Sequence, residues 1–216
     1  EQWLSGFSSG LLGAAEQFGC SLVGGDTTRG PLSISITAIG EVPAGEPVRR
    51  SGAKPGDVLY VTGCLGDGQV ALHHLDFDAA GSTSHQSAPA VAGHTSARKD
   101  LTPEDNAYLH RRFFRPEPRL AFADLARNLM SSAIDVSDGL HADAGHLAKT
   151  SAVRLRINLD QLPFSQSVLR LTSEAERVNA ALYGGDDYEL CFTAETAYRG
   201  QIDAVAASAG LRVTAI

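Results

Sequence analysis

Hard oxygen donors gather at three turns of this chain, each with glycine beside them. The fullest is Ile134-Asp135-Val136-Ser137-Asp138-Gly139-Leu140-His141, where an apolar run delivers two aspartates and a serine into a turn. A helical pattern starts at once afterwards. Alternate side chains of an extended segment share a face, so Asp135 and Ser137 point the same way. Asp138 falls where a helix begins, beside backbone N–H groups that attract anions. The second gathering is Gly24-Gly25-Asp26-Thr27-Thr28-Arg29, whose glycines let backbone approach a ligand and whose arginine offers a planar anion clamp. The third, Gly184-Gly185-Asp186-Asp187-Tyr188-Glu189, again sets two glycines before carboxylates. Carboxylates beside phosphate-friendly N–H groups suit a magnesium–nucleotide complex.

Each turn alone has a plainer reading. Gly-Gly-Asp is a common turn and Asp a common helix cap, so Asp138 could simply cap. Asp135 is harder to dismiss, because a carboxylate directly after a buried strand is costly unless paired or metal-bound. Three such turns together point to a site with several metals. The glycine-rich Gly63-Cys64-Leu65-Gly66-Asp67-Gly68 lacks the Lys-Ser/Thr of a P-loop and reads as a tight turn. His73, His74, His85 and His94 form no helical pair with a suitable carboxylate and read as solvated. No serine or cysteine has a base near it in sequence, so no covalent nucleophile is expected. Carboxylates, glycines and an arginine without a nucleophile fit direct phosphoryl transfer, which needs metal bridges, a cationic clamp and in-line positioning. Arg50 could supply a second clamp or be a surface charge. The small patch Arg111-Arg112-Phe113-Phe114-Arg115 could meet one phosphate or be a solvated helix end.

The elements that must carry these groups follow from periodicity. Trp3, Leu4, Phe7, Leu11, Leu12, Ala15 and Phe18 predict an amphipathic helix over 2–18. Short strands are expected at 21–23 and 32–38, the second from alternating Leu32, Ile34, Ile36 and Ala38. A strand at 58–62 precedes a short helix at 69–74. Residues 76–98, rich in Ala, Ser, Gly, Thr and His, read as a flexible insertion. Helices are expected at 103–112 and 117–130. From 133 the expected order is strand, acidic turn, helix (139–150), strand (153–159), helix (173–181), glycine-acidic turn, strand (188–193), helix (196–208) and strand (211–215). Strands alternating with helices indicate α/β or α+β architecture.

The 216 residues allow one large domain or two modest ones, and 43% hydrophobic with 20% charged residues is ordinary globular composition. A net charge of -7 argues against a nucleic-acid partner. Three cysteines without Cys-x-x-Cys spacing read as buried free thiols of a reducing compartment. No apolar run is long enough for a membrane span, no signal peptide is visible, and a cytoplasmic location is the expectation. The chain starts at Glu1 inside a helical pattern and stops on a strand, so it reads as a fragment.

Taken together, Leu22–Leu32, Arg50–Asp57, Ile134–Leu140 and Gly184–Leu190 resemble the thiamine-monophosphate kinase family of the aminoimidazole-ribonucleotide-synthetase-like superfamily. The resemblance covers nearly the whole chain except 76–98. It implies ATP-dependent phosphorylation of thiamine monophosphate to thiamine diphosphate, with several Mg2+ ions, by direct transfer in a cytoplasmic homodimer. By that resemblance Gly25, Asp26, Arg50 and Ser137 bind ATP, and Asp26, Asp135 and Asp138 hold magnesium. Asp186 meets the thiamine phosphate, at a position where the family usually carries glutamate. The resemblance divides the chain into a remnant of an N-terminal ATP-binding and dimerisation domain, 1–46, and a nearly complete C-terminal α/β domain, 47–216. It also implies that further metal ligands precede Glu1, that the extreme C-terminus is absent and that the chain as given is impaired. The alternatives are another ATP-dependent synthetase of the superfamily, or a non-catalytic magnesium–nucleotide-binding module.

Overall fold

The computed structural model describes residues 2–45, 47–75 and 99–216, so the expected insertion at 76–98, with His85 and His94, lies outside the described residues. The chain divides into two compact units, Glu1–Glu41 and Val42–Ile216.

The first unit opens with α1, Gln2–Gln17, in which Trp3 and Phe7 stack at 5.5 Å one turn apart. The expected strands at 21–23 and 32–38 do not form. A strand is made by the partner that takes up its N–H and C=O groups, and among the described residues this run has none. Its apolar side chains are left in solvent, with Val23 92% and Ile39 90% exposed. Cys20 is exposed as well, against the expectation of a buried thiol.

The second unit is built on a four-stranded sheet, β1 (Asp57–Thr62), β2 (Ser132–Val136), β3 (Glu189–Glu195) and β4 (Val213–Ala215), in the order β2-β3-β1-β4. Every pairing is antiparallel; Ile134 and Val61 both register with Cys191. The architecture is therefore α+β rather than a parallel α/β sheet. Helices cover both faces. On one, Leu59, Val61, Ile134, Val136 and Cys191 pack with α5 (Leu140–Ser151) and α7 (Glu174–Tyr183). On the other, Tyr60, Phe192 and Ala194 pack with α4 (Leu120–Ala126) and α8 (Arg199–Ser208), and the Tyr60 and Phe192 rings stack at 5.2 Å. Period-two alternation on each strand places these two apolar sets on opposite faces.

A third apolar cluster joins α2 (Asp67–His74), α3 (Pro103–Phe114) and α6 (Gln166–Leu171) through Val70, Leu109 and Val168. Helix α3 starts on a reciprocal capping box in which Thr102 and Asp105 bond each other's backbone N–H. His74 is buried and bonds the Val70 carbonyl through Nδ1, so it is a core histidine rather than a solvated one. The run 153–159 has no strand pairing; Leu155 and Ile157 are half-buried against the first core, which produces its alternation. The helix expected over 117–130 is confined to α4 plus a 3-10 turn at Arg127–Leu129.

Candidate functional site

The Asp135–Gly139 run lies where β2 gives way to α5. Asp135 belongs to the strand itself and faces solvent, between buried Ile134 and Val136. The strand's alternation thus aims the carboxylate outward, and the burial cost expected for it does not arise. Asp138 does not cap α5: Gly139, at φ 98°, holds the cap position without any side-chain bond. The capping work is done from inside the helix. Asp143, buried on its first turn, reaches back so that Oδ2 accepts the N–H groups of Ser137 and Asp138, both at 3.0 Å. Burial raises the Asp143 pKa, the charges of Asp138 and Asp135 add to that, and the two N–H bonds oppose it. Asp143 frees the carboxylates of Asp135 and Asp138 from structural duty, and both remain exposed.

The third turn is laced to this one through backbone. The Asp186 N–H donates to the Ser137 carbonyl at 3.0 Å and the Tyr188 N–H to the Val136 carbonyl at 2.8 Å. A Cβ at Gly185 would come within 2.5 Å of the Ser137 oxygen, and one at Gly139 within 2.8 Å of the Leu182 oxygen, so both glycines are set by close approach. Asp186 and Tyr188 both adopt left-handed backbone, at φ 66° and 50°. That conformation costs a non-glycine residue about 1–2 kcal/mol. The Tyr188 hydroxyl donates to Asp186 Oδ1 at 3.1 Å, and this bond, with partial burial, raises the tyrosine pKa.

Between those two strained residues, Asp187 points the other way, into the protein. Its carboxylate accepts the N–H groups of Gly66 at 2.7 Å and Gly68 at 3.0 Å. The glycine-rich 63–68 turn therefore does present N–H groups to an anion, but the anion is the chain's own Asp187. Burial, with the Asp67 charge beside it, pushes the Asp187 carboxyl up to about 8. Around it lies a network of fully buried carboxylates and guanidinium groups. Arg119 grips Glu189 with Nε and Nη2 at 2.8 and 2.6 Å, while Arg112 Nε donates to Asp67 at 3.2 Å and Nη2 to the Asp187 carbonyl at 3.0 Å. Tyr108 and Ser165 complete the shell of Asp67, each at 2.6 Å. Asp187 and Glu189 fall in the third acidic turn, Asp67 in the glycine-rich turn and Arg112 in the arginine patch, but nothing in the sequence pairs them, and Asp143 and Arg119 are not singled out at all. For Asp143 the available signal is an acid in the first turn of a helix that follows an acidic turn.

Backbone bonds thus bring the turns that carry Asp135, Ser137, Asp138 and Asp186 side by side, with the three aspartates exposed and Ser137 half-buried. Arg50 is not joined to it: its carbonyl accepts the Thr150 hydroxyl at 2.8 Å, on the last turn of α5, and no described contact engages its guanidinium. Gly25 and Asp26 lie in the first unit, exposed, with Asp26 Oδ1 accepting the Thr27 N–H at 2.8 Å. Among the described residues, no three His, Cys, Asp or Glu side chains converge on one metal position. Asp135 and Asp138 with the Ser137 hydroxyl make a two-carboxylate oxygen set, which fits Mg2+, an ion that keeps several waters and shares its shell with phosphates. It does not fit zinc, which calls for a closed nitrogen and sulfur set. No helix among the described residues is long and apolar enough to cross a membrane.

Residues 1–42 match the AIR synthase related protein, N-terminal domain, family model. Over all 216 residues the chain is 40% identical to thiamine-monophosphate kinase of Salmonella typhimurium, of which it spans 61%. A crystal structure of thiamine-monophosphate kinase from Stenotrophomonas maltophilia K279a aligns with the whole chain at TM-score 0.84 and 39% identity, and 63% of that protein is covered. AaThiL complexed with AMPPCP and TMP aligns at TM-score 0.57 and 28% identity, over 78% of this chain and 46% of that one.

Proposed function

We propose that the chain, 40% identical over its whole length to a thiamine-monophosphate kinase, belongs to that family and serves the ATP-dependent phosphorylation of thiamine monophosphate to thiamine diphosphate. An oxygen of the acceptor phosphate attacks the γ-phosphorus of ATP, the bond to the β-bridging oxygen breaks, and ADP leaves with that electron pair. Such a transfer asks the protein for positioning and charge rather than covalent chemistry. The observation that carries the reading is the pair of interlocked turns. They present Asp135, Asp138 and Asp186 to solvent with no cationic partner among the described residues, while the buried acids beside them are satisfied.

In this reading Asp135 and Asp138 hold Mg2+, and Asp26 is likewise a magnesium ligand. When bound there, the ion would offset phosphate charge. Ser137 and Gly25 contact ATP, Arg50 clamps its phosphates, and Asp186 orients the thiamine phosphate. Asp143 fixes the direction of the two metal-facing carboxylates by holding the Ser137 and Asp138 amides. The reading extends to a remnant of an ATP-binding and dimerisation domain over 1–46, a nearly complete C-terminal domain over 47–216, a homodimeric assembly and a cytoplasmic location.

The test is ADP release from ATP with and without thiamine monophosphate, on the protein and on its Asp135→Asn variant. Acceptor-dependent release that falls by about 10² or more in the variant agrees with the proposal. Release that ignores the acceptor, or a variant as active as the parent, contradicts it.

A further inference from the structure

The arginine patch that the phosphotransfer reading leaves unused borders a cavity of about 230 Å³. Arg111, Arg112, Arg115 and Arg119 line it, with Glu117 and Glu189 as its only carboxylates. Arg112 and Arg119 are matched by Glu189, Glu117 and the buried Asp67 behind the wall, so the positive charge of the mouth comes from Arg111 and Arg115, on a chain whose net charge is -7. The floor is closed. Glu189, fully buried, takes two bonds from Arg119, and Arg112 lies 3.0 Å from its Oε1. The rim is open. Arg112 Nη1 and the whole guanidinium of Arg115 have no hydrogen-bond partner among the described residues, and the Arg111 guanidinium lies over the Tyr108 ring, 5.8 Å from its centroid.

Cations in the last turn of a helix complement its dipole, which accounts for Arg111 and Arg112 on α3. It does not account for Arg115, beyond the last helical residue, or for the convergence of all four on a hollow. The volume falls below the ~300–1,000 Å³ of pockets for drug-sized ligands and suits a hydrated phosphate group. Guanidinium forks match phosphate oxygens two at a time, and a water-poor wall of buried ion pairs strengthens each such bond.

We propose that this cavity is a second anion site, in which Arg111, Arg115 and the free edge of Arg112 bind a phosphate-sized oxyanion above the Arg119–Glu189 pair. The inference rests on the cavity and not on the kinase reading. The phosphate can arrive free or as the end of a phosphomonoester.

Isothermal titration with inorganic phosphate tests it. Saturable millimolar binding is expected, weakened about tenfold or more in Arg115→Gln, which loses a charge-assisted contact. Arg156→Gln, an exposed charge change elsewhere, leaves the affinity unaltered. Glu117→Gln tightens it by removing a repelling carboxylate at the mouth. Arg115 is exposed, so its variant keeps the parent melting temperature and reports on binding alone. Displacement of phosphate by thiamine monophosphate, dependent on Arg115, supports a phosphomonoester as the occupant. Phosphate binding that needs Arg115 but resists that competitor supports free phosphate. Absence of saturable binding, or equal affinity in Arg115→Gln and Arg156→Gln, overturns the proposal.

Discussion

Replacing Gly185 with alanine tests the interlock of the two acidic turns, because it adds one methyl group where the backbones are closest. The new Cβ would sit 2.5 Å from the Ser137 carbonyl oxygen, roughly 1 Å short of a relaxed contact. The obstacle is backbone on both sides, so no side chain can swing away. Forced overpacking of this kind costs about 1–3 kcal/mol. Opening the gap also strains the neighbouring Asp186 N–H bond to the same oxygen, 3.0 Å long, worth about another 1 kcal/mol. A loss of about 2–4 kcal/mol lowers Tm by roughly 5–15 °C at this chain length. The control is Gly145→Ala in the middle of α5, where no atom lies within 4 Å of the new Cβ. There the helix gains about 0.5–1 kcal/mol from the lost backbone freedom, and Tm rises slightly. Circular dichroism melts of both variants make the comparison. Gly185→Ala melting at or above the parent temperature would mean that backbone contact does not lock the turns.

Two further outcomes follow from single carboxylates. Asp143→Ala leaves the Ser137 and Asp138 amides without their acceptor, which should cost about 1–3 kcal/mol in a urea melt and weaken divalent-ion binding, although Asp143 need not touch the ion; unchanged ion binding argues against a positioning role. Asp105 gives an acid transition. Burial alone would raise its carboxyl, but bonds from Thr102 and Arg170 prevail and hold it at about 2 against an ordinary 3.8. A depressed carboxyl stabilises the fold fully above the unfolded value, and the contribution is lost as pH falls from about 4 to 2. Thermal melts across that range should steepen through this group and flatten in Asp105→Asn; identical pH profiles contradict the assignment.

Periodicity located the strands that make the sheet, because Val58–Thr62 and Cys191–Thr193 sort their side chains between two buried faces. The same alternation misled at Leu32–Ala38 and at 153–159, since it reports which face is apolar and says nothing about a hydrogen-bonding partner. Helix α6 escaped notice because six residues, Gln166–Leu171, are too short to show a period. Of the site, the exposed acids of the two turns were legible from their glycine neighbours. The groups that hold them were not. Arg119 and Glu189 are separated by 70 positions and Gly66 and Asp187 by 121, and only the fold brings such pairs together.

The turn at Asp135 and Asp138 is proposed to hold the divalent ion of a nucleotide. Paramagnetic broadening of amide resonances by substoichiometric Mn2+, reversed by Mg2+, tests it most directly. Selective loss of the Asp135–Gly139 and Gly185–Tyr188 signals is expected, abolished by Asp135→Asn with Asp138→Asn. Broadening spread evenly over exposed acids, or unaffected by those two substitutions, contradicts it.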